Sequence, residues 1–138
     1  MIQIKQIDHL VLTVHDIDET CNFYTRVLGM KVVEFGAGRK ALVFGSQKIN
    51  LHQFDKELSP HAKYPSPGSV DICFFTDLHM KQIVDHLLEN RIKIVDGPVQ
   101  RTGAQGPVLS VYIKDPDGNL IEIATHLLTS TPDQNNAA

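Results

Sequence analysis

The chain has 138 residues, 42% of them hydrophobic and 21% charged, with a formal net charge of -3. That length buries a real core without staples and fits one domain or two small packed modules. The charge balance and the lack of a Lys/Arg run exclude an electrostatic case for nucleic acid, and no apolar stretch approaches a transmembrane length. Residues 1–6 lack the apolar core of a signal peptide, which predicts a cytoplasmic protein with no membrane partner. The two cysteines, Cys21 and Cys73, form no CxxC and read as buried thiols in a reducing compartment.

In chain order, residues 9–14 are dense in apolar and β-branched side chains and predict a strand. Asp16-Ile17-Asp18-Glu19 then reads as a helix start, an acidic N-cap with Glu three residues on. Ile17, Cys21, Tyr24 and Leu28 follow at helical spacing, and Gly29 is placed to end the helix. Strands are expected at 31–35, 40–44 and 48–54, with Gly36 and Gly38 in a turn. The polar stretch 55–68 carries Pro60, Pro65 and Pro67 and reads as a connection. The order then repeats: a strand at 70–75 and a helix at 78–90 with Ile83, Val84, Leu87 and Leu88 on its apolar face. A strand follows at 93–95, closed by Gly97-Pro98. Residues 101–107 read either as a mobile substrate loop or as a plain hairpin connection. Strands at 110–114 and 120–124 are joined by Asp115-Pro116-Asp117-Gly118-Asn119, which has turn chemistry.

The repeat is legible in register. Adding 62 carries His9 onto Asp71, and Met30-Lys31-Val32-Val33 onto Ile92-Lys93-Ile94-Val95. Toward the module ends the offset is 72, which pairs Asn50 with Glu122. The expected organisation is a βαβββ module over 4–54, a connection over 55–68, a second βαβββ module over 69–126 and a flexible tail over 127–138. His9, Asn50, Asp71 and Glu122 are polar intrusions in apolar strands, at two pairs of equivalent places. Each alone has a structural explanation, as a capped turn, a backbone partner or a solvated edge. Together they can converge on one cavity. An imidazole with carboxylates suits Mn, Fe, Ni, Co or Zn as a divalent ion with open positions.

Those residues also carry a family resemblance. Asp8-His9-Leu10 opening a strand, Phe23-Tyr24-Thr25-Arg26-Val27-Leu28-Gly29-Met30 ending the helix, and Asp115 to Glu122 before the last strand resemble the vicinal oxygen chelate superfamily. That superfamily includes glyoxalase I, fosfomycin-resistance enzymes, extradiol dioxygenases and bleomycin-binding proteins. The likeness covers residues 4–126. Within it, Lys48-Ile49-Asn50-Leu51-His52, Asp71-Ile72-Cys73 and Gly97-Pro98-Val99-Gln100-Arg101 resemble the glyoxalase-domain-containing protein 5 group, which includes bacterial virulence-associated relatives. The resemblance implies an α+β fold: two tandem βαβββ modules forming a cupped, largely antiparallel eight-stranded sheet with helices outside. It implies a homodimer, whose site is built from one chain or from both.

Carried over by motif, the four ligand positions of glyoxalase I fall on His9, Asn50, Asp71 and Glu122. His9 and Glu122 match. Asp71 stands where a His is usual and remains a competent ligand. Asn50 stands where a Glu is usual and is a poor one, so His52, two residues on, is a candidate to replace it. The expected metal set is His9, Asp71, Glu122 and His52, with Glu122 also the catalytic carboxylate. Asn50, Arg39, Arg101 and Tyr112, with Lys40, are candidates to hold an anionic substrate. The implied activity is a metal-dependent lyase or isomerase of glyoxalase type acting on a small oxygenated molecule by bidentate chelation. The alternatives are an Fe(II) extradiol-type dioxygenase and a metal-free drug-binding protein.

Overall fold

A computed structural model describes residues 1–127. The chain divides into two compact units, one of residues 1–70 with Asp115–Asn119, the other of Asp71–Lys114 with the residues from Leu120 onward. In the first unit β1 (His9–Val14), α1 (Ile17–Arg26), β2 (Lys31–Phe35), β3 (Arg39–Phe44) and β4 (Gln47–Gln53) form a βαβββ module. Its sheet has the order β1-β4-β3-β2. β1 and β4 are parallel and the other pairs antiparallel. Parallel neighbours need a crossover, and α1 begins it.

The start of α1 is fixed as the sequence predicts. The Glu19 backbone N–H donates to Asp16 Oδ1 at 3.0 Å, and Asp18 and Glu19 sit in the first turn, where the helix dipole favours negative charge. Gly29 follows the helix with φ +68. Phe23, Tyr24 and Val27 of this segment are buried with Leu12, Val14, Leu42, Ile49 and Leu51 of the sheet. Each such side chain contributes roughly 1.5–3 kcal/mol by leaving water. Strand alternation puts those five sheet residues on one face, against α1, and leaves the other face for polar groups.

The second unit repeats the plan with β5 (Asp71–Phe75), α2 (Met80–Glu89), β6 (Asp96–Gly103), β7 (Gly106–Lys114) and β8 (Leu120–His126). The strand order is β5-β8-β7-β6, with β5 and β8 parallel. The backbone N–H of His79, the N-cap of α2, donates to Gln82 Oε1 at 3.0 Å. The two βαβββ modules are as expected. The eight strands are hydrogen-bonded as two sheets of four.

Three local expectations need correction. On α2, Met80, Ile83 and Leu87 are buried, but Leu88 is 60% exposed, because it lies one position round from Leu87 on the helix. The strand expected at 93–95 begins instead at Asp96 and runs to Gly103. Gly97 does not close it: with φ +92 it sits where the register shifts between Asp96 and Val99, and pairing with β7 continues beyond. A Cβ at Gly97 would lie 2.5 Å from the Ser110 carbonyl oxygen, so only glycine fits this close approach. Residues 101–107 are a tight hairpin, Gly103 paired with Gly106. From residue 128 on, the tail lies outside the described residues. No helix among the described residues is long and apolar enough to cross a membrane.

The Asp115–Asn119 turn is held by one buried carboxylate. Asp115 Oδ1 accepts from the backbone N–H groups of Asp117 and Asn119, both at 2.9 Å. Oδ2 accepts from Asn119 Nδ2 at 2.8 Å and from the Tyr24 hydroxyl at 2.6 Å. Burial, and then the neighbouring Asp115 charge, push the Tyr24 phenol far above its ordinary value, so it remains a donor.

Candidate metal and substrate site

In the first unit the polar face is ordered by strand register. β1 sets His9 beside Lys48, Val11 beside Asn50 and Thr13 beside His52. β3 sets Ala41 beside Asn50, and Arg39, two residues before Ala41, lies on the same side of its strand. His9, Asn50, His52 and Arg39 therefore share one face. His9 and His52 are four positions apart along it, about 13 Å at strand rise.

His9 is half-exposed and its Nδ1 is 2.8 Å from the Asp8 carboxylate. A carboxylate accepting from Nδ1 fixes the tautomer and leaves Nε2 as a lone-pair donor, the arrangement common in metal-ligating histidines. Asn50 and His52 are both 6% exposed. Asn50 Oδ1, His52 Nδ1 and Arg39 Nε are buried with no hydrogen-bond partner among the described residues. Burial above all, and then the Arg39 charge, hold the His52 pKa below its ordinary value. A cavity of about 180 Å³ opens beside His52, between Thr13 and the connecting segment at Pro60, His61 and Tyr64.

In the second unit Asp71, Cys73 and Phe75 alternate onto the face that carries Glu122, because Cys73 pairs with Glu122 across β5 and β8. Tyr112 pairs with Glu122 from the other side. The Ser110 hydroxyl donates to Glu122 Oε2 at 2.7 Å and anchors that carboxylate. Cys73 is exposed on this face, not buried as expected. Partial burial and then the Glu122 and Asp71 carboxylates push its thiol up to about 11. Glu122, Cys73, Phe75, Ala124 and His126 line a cavity of about 700 Å³ beneath the β6–β7 hairpin tip.

The sequence-predicted cations fare differently. Lys40 is 3.3 Å from Asp18. Arg101 Nε donates to the Tyr112 hydroxyl at 3.0 Å, and its guanidinium is 3.7 Å from Asp96, so these two candidates engage each other. Arg39 lies 4.6 Å over the Phe35 ring and makes no ion pair among the described residues. The metal candidates divide between the units: His9 and His52 in the first, Asp71 and Glu122 in the second. Among the described residues no group of three or more His, Cys, Asp or Glu stands ready to hold an ion. Within each unit the donor types, an imidazole with Nδ1 on Asp8 in the first and the Glu122 carboxylate held by Ser110 in the second, are of a kind that suits a divalent cation. Two partners escaped the sequence reading. Asp8 is the motif neighbour of His9, while Ser110, twelve residues from Glu122, carries no local signal.

A family model for the glyoxalase/bleomycin resistance protein/dioxygenase superfamily matches residues 6–123. The chain belongs to this superfamily. It is 56% identical over 125 residues to the glyoxalase domain-containing protein RDO1 of Mycosarcoma maydis, covering 91% of this chain and 70% of that protein. It is 55% identical over 124 residues to the virulence protein STM3117 of Salmonella typhimurium, covering 90% and 86%. The crystal structure of STM3117 superposes with a TM-score of 0.90 at 54% identity, covering 91% of this chain and 100% of that one. Members of the glyoxalase superfamily are often enzymes and commonly use divalent metals.

Proposed function

We propose that the chain is a divalent-metal-dependent lyase or isomerase of the glyoxalase type, a homodimer acting on a small oxygenated, anionic substrate. The observation that carries this reading is the 2.8 Å contact of His9 Nδ1 with Asp8, which presents Nε2 as a metal donor. His9, Asp71 and Glu122 would hold the ion. When bound, it supplies Lewis-acid polarisation of adjacent substrate oxygens. The rest is work for the chain's own groups. Ser110 holds one Glu122 oxygen by donation, so the other is the one that exchanges a proton with the substrate. The cavity beside Glu122 takes the substrate's carbon skeleton against Phe75 and Ala124.

That apolar lining also favours a second reading, a metal-free binder of an apolar drug. Metal analysis of protein purified without chelator separates the two. We expect wild type to hold near-stoichiometric metal and the His9→Ala/Glu122→Ala variant to hold almost none. Equal metal in both would remove the enzymatic reading. A substrate screen with hemithioacetals, with fosfomycin plus thiols, and with catechols under Fe(II) then assigns the reaction, and ring cleavage with oxygen uptake would replace the lyase by a dioxygenase.

A further inference from the structure

The polar face of the first unit gathers positive charge that nothing on its strands neutralises, in a chain whose net charge is -3. β1 to β4 contain one acidic residue, Glu34, which pairs with Lys40 on the face that meets α1. The opposite face carries His9, Lys31, Arg39 and Lys48. Two of these cations converge. The Arg39 guanidinium lies 4.6 Å, and Lys48 Nζ 4.3 Å, from the centre of the same Phe35 ring. The two charges are therefore closer together than the roughly 10 Å over which charges act through 0.1 M salt.

The ring attracts each cation but does not relieve their mutual repulsion. Neither makes an ion pair among the described residues. Arg39 Nε is sealed from solvent, whereas its Nη groups and Lys48 Nζ are not, so the charged ends are free to meet a ligand. Register places that ligand. Phe35 pairs with Arg39 across β2 and β3, and Lys48 pairs with His9 across β4 and β1. The two cations thus join the Arg39 end of the face to the His9 end.

The charge of the pair restricts the ligand. A single carboxylate matches the Arg39 fork and leaves Lys48 unmatched. A phosphoryl group carries close to two negative charges at neutral pH and offers three acceptor oxygens. Arg39 can take two of them in parallel through its Nη groups, and Lys48 the third as a point charge.

We infer that Arg39 and Lys48, gathered on Phe35, form a subsite for a phosphoryl group of the substrate. The substrate class narrows from a small anion to a small phosphate monoester, with its oxygenated carbons directed toward His9. The inference rests on the reading of the His9 face as the substrate face, but anion binding by these two residues does not require the ion.

The test is an NMR titration of the full-length protein at pH 8 and low salt, following the backbone amides of Phe35, Arg39 and Lys48. The probes are inorganic phosphate, acetate and succinate. The proteins are wild type, Arg39→Met, Lys48→Met, Lys48→Arg and the His9→Ala/Glu122→Ala variant. Phosphate should bind and shift all three amides. Acetate, which answers one charge, should bind at least about tenfold more weakly. Arg39→Met and Lys48→Met keep an unbranched stem for the ring, and each should lose at least about tenfold in phosphate affinity with its melting temperature held. Lys48→Arg keeps the charge and should stay within about threefold of wild type. The His9→Ala/Glu122→Ala variant should bind phosphate as wild type does, so a failure of the metal reading leaves this inference standing. Acetate matching phosphate, succinate binding more tightly than phosphate, or Lys48→Met binding like wild type would each overturn it. Unshifted amides would do the same, as would phosphate binding that disappears in the His9→Ala/Glu122→Ala variant, since the anion would then belong to the ion.

Discussion

Replacing Tyr24 by Phe should lower stability by about 2 kcal/mol, at the middle of the range for a hydrogen bond to a charged group. The substitution keeps the ring, so no cavity forms, and it removes one donor to Asp115 Oδ2, which is left with Asn119 Nδ2. Water cannot easily replace the phenol, since Tyr24 is 1% and Asp115 5% exposed. For a chain of this size about 3 °C of melting temperature corresponds to each kcal/mol, so a loss of roughly 6 °C is expected. Thermal unfolding at pH 7, followed by far-ultraviolet circular dichroism, measures it. A double-mutant cycle with Asp115→Asn should show coupling of about 1 kcal/mol, since the two groups share a bond. A melting temperature within 1 °C of wild type, or strictly additive effects, would refute the view that this bond anchors the turn.

Four shorter predictions follow from the site and its surroundings. Asp8→Ala should weaken metal binding by about tenfold, the low end for an orienting carboxylate because the pair is exposed, read by competition with a chromophoric chelator; unchanged affinity would leave Asp8 without the orienting role. Cys73, held up to about 11 against an ordinary 9.0, is the weaker acid. At pH 8 that cuts thiolate about 100-fold, and a nucleophilicity gain of about eightfold leaves reaction with a small disulfide about tenfold slower than for a cysteine peptide; Glu122→Gln should speed it, and a peptide-like rate in wild type contradicts the argument. Gly68→Ala should cost several kcal/mol, on the order of 2–4, because φ is +80 and the new Cβ would lie 2.5 Å from the Asp117 carbonyl oxygen; a wild-type urea midpoint would refute it. The depressed His52 pKa means the unfolded chain binds the extra proton first. Stability should therefore fall as pH drops from about 6.5 toward the folded value, and His52→Gln should flatten that segment of the urea-midpoint profile; an identical slope in both proteins would remove the claim.

What the sequence revealed of this fold is what local chemistry decides. Asp16 and Glu19 announce the start of α1, and Gly29 follows its end, because caps and left-handed turns are satisfied within a few residues. The duplicated strands make His9 and Asp71 equivalent positions of the repeat by counting alone. The errors lie where long-range pairing overrides a local sign. Gly97-Pro98 reads as a stop, yet across from Ser110 the glycine only shifts register and β6 continues. Arg101 reads as a cation for substrate, yet its side chain crosses the β6–β7 hairpin to the Tyr112 hydroxyl, eleven residues on, a contact that no motif carries.

The candidate site divides the same way. Residue types suggest the candidate donors, but the partner of Glu122 is set by the neighbouring strand, where Ser110 lies twelve residues away. The turn Asp115–Asn119 shows why this matters for function. Its sequence promises only a tight connection, while the structure spends a buried carboxylate and four donors on it. Glu122 follows three residues later in β8, paired with Cys73 and Tyr112. A turn that rigid fixes where β8 begins, and a slip of one residue there would carry Glu122 to the opposite face of its sheet. The motif that resembles a family signature is thus a register lock for the carboxylate that the proposed chemistry requires.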